Sequence, residues 1–363
     1  MALMLFRKER RVPKQTEIED LASKIEPALA KAILLAFEKL GEGLDAGKII
    51  AALEKGDMGA VMALLDAGEF EHQFGPAKNT LQEAAKGGGM LGESQVMRLT
   101  GVSFRFNTLN PALIRWMQGY ELDLIKQINS TTREAVRDQL LTGLNSGINP
   151  KQMAVNIKTI TGLTSSQAKA VLNFRKELES FHLKNTAGGW KLGGKIDRVN
   201  GTQVFKPDGD GNPKDGILNR RLRDFRYDPQ LIKAMESGVP LKPEQIDKMV
   251  KAYVRKYLAY RARNIARTES LRATNVGVAD AWRQAIESGK VQEQQVRRKW
   301  IVARDERTCE TCGPIPRMNP ALGVEMDKPF QSPKGPVMMP PLHPSCRCTV
   351  FIRQYEPEQL KEQ

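Results

Sequence analysis

Apolar residues recur at three- and four-residue steps near the start of the chain, which predicts short amphipathic helices over residues 15–95. The first helix has the apolar positions Ile18, Leu21, Ile25, Leu29, Ile33 and Phe37. Pro27 is expected to disturb this helix, and Gly41 and Gly43 are expected to end it. The glycine triplet 87–89 predicts a flexible joint, because it lacks the preceding strand and the Gly-Lys-Ser/Thr ending of a phosphate-binding loop.

A longer helical pattern covers residues 107–180. Its apolar stripe, which we interpret as core, consists of Leu113, Trp116, Met117, Tyr120, Leu124 and Ile128. The segment 131–134, Thr-Thr-Arg-Glu, has the form of a capping box that would restart a helix. Asn149 followed by Pro150 predicts another helix start, and the segment 164–167, Thr-Ser-Ser-Gln, is a second capping box.

The character of the chain changes over residues 181–240, which are rich in Gly and predict a hairpin-and-loop segment with its best strand at 202–205. The stretch 208–212, Asp-Gly-Asp-Gly-Asn, starts like a calcium-binding loop. Pro213 then stands where that loop requires Gly, and its closing Glu is replaced by Asn, which argues against calcium. A helix with one apolar face is expected over about residues 243–264.

Two β-rich runs, 296–302 and 348–352, predict a pair of strands near the carboxyl end. Residues 313–344 between them contain 9 of the 20 prolines of the chain, which disfavours both helix and central strand. A long irregular loop in a compact domain is uncommon unless its ends are held together. A group that ties the base of this loop is therefore expected.

Metal ligation is the chemistry that the loop ends offer. All four cysteines lie within residues 299–352, together with one of the three histidines. The five candidate ligands are Cys309, Cys312, His343, Cys346 and Cys348. Because a tetrahedral Zn²⁺ site has four positions, one candidate is expected to lie outside the ligand shell. The Cys-x-x-Cys pair supplies two expected ligands, and two of the remaining three would complete a structural zinc site.

Three other uses of these cysteines are less well supported. A disulfide requires an oxidising compartment, and residues 1–6 are too short for the apolar part of a signal peptide. A redox Cys-x-x-Cys opens a helix, whereas Pro314 and Pro316 follow this one. A zinc deaminase needs His-x-Glu upstream and Pro before the Cys-x-x-Cys, but Thr308 stands at that position.

Positive charge is concentrated in one third of the chain. Between residues 181 and 300 there are 25 Lys plus Arg against 13 Asp plus Glu, which is most of the formal net charge of +14. The densest cluster is Arg220, Arg221, Arg223 and Arg226. Such a cluster can attract DNA phosphates without sequence preference or pair with an acidic protein surface. A helix-turn-helix near Gly162 is disfavoured, because Lys158 and Lys169 are nearly the only basic groups there.

The motifs of the carboxyl-terminal third form an ordered set. They are Ile265-Ala-Arg-Thr-Glu269, Asn275, Trp282, Trp300, Asp305-x-Arg-x-Cys-x-x-Cys312 and Pro341-x-His-Pro-x-Cys-Arg-Cys348. This set resembles the Mu F-like head morphogenesis proteins of tailed bacteriophages, and the arginine cluster and residues 241–246 also look like that family. The family contains minor virion proteins that enter the procapsid beside the portal. The resemblance implies a role in head assembly or genome delivery rather than a known reaction.

Four motif residues outside the metal site are expected to have a structural role. Arg267 and Glu269 look like family positions, and we expect a buried Arg-Glu network that braces their helix against the zinc-clipped strands, together with Asn275 and Asp305. The two are not an i,i+4 pair, because residues two apart face different sides of a helix. A catalytic role for Glu269 lacks support, since no His or Ser lies near it in the sequence.

These observations predict an α+β protein, mostly helical, with a small zinc-clipped β unit at its carboxyl end. The expected divisions are a helical region 1–95, a helical core domain 96–180, a basic hairpin-and-loop segment 181–240, and a helix plus zinc-binding β domain 241–363. No apolar run reaches the roughly 18 residues that span a bilayer, so we expect no membrane contact.

The function expected from the resemblance is that of a non-enzymatic minor capsid protein. It would associate with the portal and the capsid interior, contact double-stranded DNA without sequence preference, and take no small-molecule substrate. We expect it in the host cytoplasm during assembly and in the virion afterwards. The alternatives are a zinc-dependent hydrolase or nuclease and a plain DNA-binding module. An open metal position with bound water would favour the enzyme, and a steep salt dependence without portal affinity would favour the DNA-binding module.

Overall fold

The computed structural model describes residues 16–65, 67–185, 196–199, 202–205, 220, 222–303 and 309–361. These parts are mostly helical, with two small antiparallel β pairs, as the sequence predicts. The helices are α1 (Thr16–Gly43), α2 (Ala46–Glu54), α3 (Met58–Ala63), α4 (Ala67–Gln73), α5 (Gly75–Thr100), α6 (Pro111–Asn145), α7 (Pro150–Ile160), α8 (Ser165–Glu179), α9 (Asp228–Ser237), α10 (Pro243–Glu287) and α11 (Pro357–Leu360). The strands are β1 (Ile196–Val199), β2 (Thr202–Phe205), β3 (Val296–Ile301) and β4 (Thr349–Gln354).

Two compact units account for the described residues. One comprises the described parts of Met1–Ile33, Phe74–Leu124 and Ala262–Gln363, and the other comprises Leu34–Gln73 and the described parts of Ile125–Arg261. Spatial contact between segments does not show which of them fold alone. The linear division into residues 1–95, 96–180, 181–240 and 241–363 therefore stays a prediction.

Several helix boundaries follow local signals in the sequence. Helix α1 continues through Pro27 and ends at Gly43, as expected from the glycines there. The Asn149 side chain accepts from the backbone N–H of Gln152 and caps α7, which has Pro150 in its first turn. At the start of α8 both hydrogen bonds of the predicted capping box are present, between Thr164 and Gln167. Helix caps can be predicted from the sequence because they depend only on neighbouring residues.

The flexible joint predicted at the glycine triplet 87–89 is wrong. These residues lie inside α5, where Gly88 is buried against α10: a Cβ there would lie 2.3 Å from the carbonyl oxygen of Thr274. On the facing helix, a Cβ at Gly277 would lie 2.0 Å from the carbonyl oxygen of Ala85. The glycines therefore allow two helix backbones to approach closely, and a sequence pattern cannot distinguish this role from flexibility.

The helix restart predicted at residues 131–134 is also wrong, because α6 runs without interruption from Pro111 to Asn145. The Thr132 hydroxyl donates to the carbonyl oxygen of Ile128 at 2.9 Å, one turn earlier in the same helix. Arg133 donates to the carbonyl oxygens of Met62 and Leu65, both at 2.9 Å, and so ties α6 to the end of α3. Thr132 and Arg133 therefore make hydrogen bonds within one compact unit and do not mark the start of a helix.

Helix α10 is longer than the pattern predicted, since it runs to residue 287 instead of about 264. From Thr268 to Ala285 almost every side chain is buried, and Trp282 is completely so. A helix that is buried on all sides has no polar face. The repeat of apolar and polar positions that predicted the first half of α10 is therefore missing from its second half. The buried part of α10 lies in the same compact unit as β3 and β4.

The two strands predicted at residues 296–302 and 348–352 are confirmed as β3 and β4. They pair antiparallel, with Trp300 opposite Val350 and Val296 opposite Gln354. The second pair, β1 and β2, confirms the strand expected at 202–205. The stretch 208–212, considered as a calcium-binding loop, lies outside the described residues.

The proline-rich loop between β3 and β4 is irregular, as predicted, but it is held along its length and not only at its base. Arg298 of β3 is fully buried, and its guanidinium donates to the carbonyl oxygens of Glu325 (3.3 Å), Lys328 (2.5 Å) and Met338 (2.6 Å). Its backbone also pairs with Val324. Burial lowers the pKa of Arg298 to about 10, which leaves it charged at neutral pH. Nothing in the sequence marks this arginine beyond its place in a strand.

No helix among the described residues is both long enough and apolar enough to cross a membrane.

Candidate metal centre

A tight turn positions the first two candidate ligands. The backbone N–H of Gly313 donates to the carbonyl oxygen of Cys309 at 3.0 Å, and the N–H of Cys312 donates to the Cys309 Sγ at 3.3 Å. Directly after the turn, the short 3₁₀ helix Ile315–Arg317 buries Ile315. Cys-x-x-Cys therefore forms a knuckle with both thiols on one side, which is the form that the spacing predicted.

The second half of the site meets this knuckle. The Cys309 Sγ and Cys312 Sγ lie 3.0 and 3.2 Å from the His343 Nε2, and the Cys312 Sγ lies 3.7 Å from the Cys346 Sγ. Two groups of possible ligands result, Cys309, Cys312 and His343 in one and Cys312, Cys346 and Cys348 in the other, with all ligand atoms in each group within 4.8 Å of one another. All five predicted candidates are thus close together, and Cys312 is common to both groups.

The chemistry of the donor set, thiolate sulfur and imidazole nitrogen, fits a tetrahedral zinc ion. At a Zn–S distance of about 2.3 Å, two thiolates of a tetrahedron lie about 3.8 Å apart, close to the separation of Cys312 and Cys346. The His343 Nδ1 lies 2.9 Å from the carbonyl oxygen of Pro344. We assign the proton to Nδ1, because this carbonyl can only accept, and the Nε2 that faces the thiols is then the free metal-binding nitrogen.

Hydrogen bonding among the thiols divides them into donors and acceptors. A hydrogen bond from Cys348 lowers the pKa of Cys346 to about 5, and the same bond raises the pKa of Cys348. Burial raises the pKa of the Cys309 thiol, but hydrogen bonds from Cys312 and His343 outweigh this and leave it lowered. Burial and the charge of Cys346 raise the pKa of Cys312, so ligation of a metal ion by this thiol requires its deprotonation.

Helix α10 fixes the segment that carries His343 and Cys346. Ser345, which has a positive φ of 60°, donates its backbone N–H to the Thr268 Oγ1 at 2.9 Å. Asn275 accepts from the backbone N–H of Val350 at 2.8 Å and donates to the carbonyl oxygen of Leu271 at 2.9 Å. Asn275 therefore joins α10 to β4, and Thr268 joins α10 to the segment of His343 and Cys346; the sequence assigned no such contact to Thr268.

The other residues expected in this bracing network are arranged differently. Glu269 is buried and pairs with Arg272 at 3.3 Å, not with Arg267, which is only half buried. Burial raises the pKa of Glu269, and the charge of Arg272 opposes this shift. Asp305 lies outside the described residues. Residues three apart on a helix face the same side while residues two apart do not, which explains the choice of partner.

The arginine cluster predicted to bind DNA or an acidic partner is engaged within the fold. Arg220 pairs with Glu177 (2.5 Å), Arg223 is buried against Asp228 (3.1 Å), and Arg226 pairs with Asp224 (2.6 Å). The guanidinium of Arg220 also lies over the rings of Phe174 and Tyr253, at 5.8 and 5.9 Å from their centroids. Arg221 lies outside the described residues. Of the three described arginines, only Arg226 has a mainly exposed side chain.

Comparison with known families gives a match in the carboxyl-terminal part. Residues 228–351, about a third of the chain, match the model of a family described as Phage Mu protein F like protein. The match extends from α9 through α10, β3 and the metal centre into β4. The resemblance inferred from the motifs is therefore confirmed over these residues. Neither the curated proteins nor the solved structures contain a match to this chain.

Proposed function

From the Mu F-like character of residues 228–351, we propose that this chain is a minor capsid protein of a tailed bacteriophage and acts in head morphogenesis. The observation that carries the proposal is that the matched segment coincides with the metal knuckle and the helix that braces it. The contacts of Thr268 and Asn275 explain why the helical motif and the Cys/His motif occur together. The proposed site of action is the assembling head, and then the virion.

Zinc is the proposed cofactor, and its role would be structural. We propose that Cys309, Cys312, His343 and Cys346 hold the ion, because Cys312 lies within 3.7 Å of both His343 and Cys346, and Cys309 lies 3.0 Å from His343. The four ligand atoms are not all within 4.8 Å of one another, so binding would draw Cys346 closer to the other three. Cys348 would donate its S–H to Cys346 and stay outside the shell. With four protein ligands no position is left for a reactive water, which favours a structural role over the hydrolase or nuclease alternative.

Association with the portal is the proposed partner interaction, and the helices are its proposed contact surface because an exposed apolar helix face can dock on a partner. Met90 and Met97 of α5 are 64% and 44% exposed and lie seven residues apart, on one side of the helix. Replacing both with Asp would alter this surface without touching the buried side of α5.

The capsid role predicts that particles assembled without the protein form shells but retain little DNA or fail to infect. Co-expression with the portal of the same phage is expected to yield a complex that survives gel filtration. The Met90→Asp/Met97→Asp variant is expected to weaken that complex, while Cys309→Ser is expected to weaken it less. If the zinc variant instead loses a nuclease or hydrolase activity and particles still incorporate it normally, the enzyme alternative replaces the capsid role.

Contact with DNA would depend on the arginine cluster. Of its described members, Arg226 has the side chain most available to DNA, because those of Arg220 and Arg223 are mostly or fully buried in their ion pairs. Arg226→Ser is expected to weaken binding to duplex DNA of any sequence and to reduce the log-log salt slope by about 0.9 for the lost phosphate contact. It should cost the protein some stability, because the largely buried Asp224 carboxylate loses its partner, but less than the loss of a pair in which both side chains are buried. Filter binding at several salt concentrations measures both the affinity and the slope.

Arg223→Ser is the contrasting variant, because it removes a buried arginine that pairs with Asp228 rather than an exposed one. It is expected to destabilise the protein by about 3–5 kcal/mol, because an unpaired charge would remain buried. Unchanged DNA binding in Arg226→Ser would remove this arginine from any DNA interface.

A further inference from the structure

Trp300 of β3 is a neighbour of the metal centre, although it is not one of the proposed ligands. It lies opposite Val350 in the strand pair, and Cys348 is two residues before Val350, directly before β4. Because side chains two residues apart point to the same face of an extended segment, Cys348 continues the face on which Trp300 and Val350 lie. The register therefore makes Trp300 and Cys348 diagonal neighbours, a distance that an aromatic side chain can bridge. Both residues are 3% exposed.

Packing holds the indole ring of Trp300 in one orientation. Its centroid lies 5.4 Å from that of Phe330, and the two ring planes meet at 79°, an edge-to-face contact. Phe330 is itself fully buried, with the Arg298 guanidinium 5.2 Å from its ring centroid. Its backbone exchanges hydrogen bonds of 2.8 and 2.9 Å with that of Val337. The fold of the loop between β3 and β4 therefore determines where the indole N–H points.

The indole N–H of Trp300 is a buried donor that makes no hydrogen bond within the described parts of the fold. Buried donors are normally satisfied, and an indole nitrogen can only donate. The hydrogen bond to Cys346 and burial raise the pKa of Cys348, whereas the Trp300 N–H opposes this rise. A donor has this effect when it is directed at the sulfur, because it stabilises the thiolate. The Cys348 Sγ is thus the acceptor toward which the indole N–H is directed.

Cys348 in turn acts on Cys346, a proposed ligand. Its thiol donates to the Cys346 Sγ, and its backbone N–H donates to the same sulfur at 3.5 Å. Hydrogen bonds in a chain polarise one another, so a thiol that donates its own proton to a thiolate becomes a better acceptor. The Trp300 N–H, the Cys348 thiol and the Cys346 Sγ therefore form a row that ends at the metal centre.

We propose that Trp300 is a positioning residue of the metal centre: its indole N–H donates to the Cys348 Sγ and directs the Cys348 S–H at Cys346. Cys346 is thereby left to bind the ion, and Cys348 stays outside the ligand shell. This inference rests on the proposed zinc site and adds a residue to it that the spacing of the ligands does not reveal. Hydrogen bonds from surrounding residues orient metal ligands and tune their affinity, which is the effect assigned here to Trp300.

Zinc affinity of the full-length protein, measured by competition with a chromophoric chelator, tests the proposal. Trp300→Phe keeps an aromatic ring against Phe330 but removes the N–H, and it is expected to weaken zinc binding about tenfold or more. Trp282→Phe is the matched control. Trp282 belongs to the same compact unit, is fully buried, and also has an indole N–H without a hydrogen bond among the described residues. This control should bind zinc as the wild type does.

Variants of Cys348 show whether Trp300 acts through this thiol. Cys348→Ala interrupts the row and should weaken zinc binding by about as much as Trp300→Phe, whereas Cys348→Ser keeps a group that both accepts and donates and should bind nearly as the wild type does. The double variant Trp300→Phe/Cys348→Ala should bind zinc no more weakly than Cys348→Ala alone, because both substitutions break the same row. In the wild type, added zinc should move the NMR signal of the Trp300 indole N–H downfield and leave that of Trp282 in place.

Equal zinc affinity in the wild type and Trp300→Phe would overturn the proposal, and so would additive losses in the double variant. If Trp300→Phe does not fold, a Trp300 indole signal that zinc does not move in the wild type would overturn it equally. A wild type that binds no zinc would overturn the proposed metal centre together with this inference. Zinc binding that is indifferent to Trp300 would refute the inference alone.

Discussion

Purified protein is expected to carry about one zinc per chain, and Cys312→Ser is expected to lose it. Cys312 is the residue common to both groups of ligands, so its removal leaves neither group complete. Structural zinc sites in small domains contribute on the order of 10–16 kcal/mol of binding free energy, which here would hold the ends of the loop between β3 and β4. Metal content by mass spectrometry and limited proteolysis measure the two effects.

The pattern of proteolysis is informative because the metal ion and Arg298 would hold different parts of the loop. After metal loss we expect the first cleavages near residues 309–313 and 340–346, where the metal is the main tie. Residues 324–338 should resist for longer, because Arg298 still binds their carbonyl oxygens. Simultaneous cleavage along the whole loop would show that Arg298 does not hold it independently.

Cys348→Ser is the matched control, since it removes a thiol from the same cluster, directly before β4. It is expected to retain the metal if Cys346 is the fourth ligand. Loss of zinc in this variant and retention in Cys346→Ser would exchange the roles of these two thiols. Full zinc content in Cys312→Ser would refute the site as a whole.

Gly277→Ala is expected to destabilise the protein by roughly 3 kcal/mol or more, although alanine is the better helix former. The added Cβ would lie 2.0 Å from the carbonyl oxygen of Ala85 and 2.7 Å from the backbone nitrogen of Gly89. Both obstacles are backbone atoms of α5, so no side-chain rotation can make room. Urea-induced unfolding followed by circular dichroism gives the change in the free energy of unfolding.

Gly119→Ala is the matched control, because Gly119 is also helical and a Cβ added there would have no atom within 4 Å among the described residues outside its own helix turn. It is expected to stabilise the protein by about 0.5–1 kcal/mol, through the lower conformational entropy of the unfolded chain. A similar effect of both substitutions would mean that α5 and α10 are not in close contact at Gly277.

The parts of the fold that the sequence predicted are those determined by neighbouring residues. The capping box at Thr164 and the helix start at Asn149 involve residues three apart, and the Cys-x-x-Cys knuckle involves a single turn. The two strands were predictable because their β-branched and aromatic residues stand out against the proline-rich loop between them.

The parts that were missed depend on residues distant in sequence. Gly88 looked like a joint because its neighbour, Thr274, is known only from the packing of α5 on α10. Arg220 and Arg223 looked available for DNA because their carboxylate partners are recognisable only in the folded chain. The five Cys and His candidates lie close together in the fold, but which of them could bind a metal ion depends on distances that their spacing in the sequence does not determine.

The hydrogen bonds of Arg298 imply that the loop between β3 and β4 tolerates mutation unusually well. It donates to main-chain carbonyl groups, which every amino acid supplies, so substitutions at Glu325, Lys328 or Met338 should leave its anchorage intact. Gly323 is the exception, with a φ of 105° and a position for Cβ only 2.3 Å from the carbonyl oxygen of Arg298. Related proteins are therefore free to vary the surface of this loop widely while they keep its path, provided that the arginine and this glycine are retained.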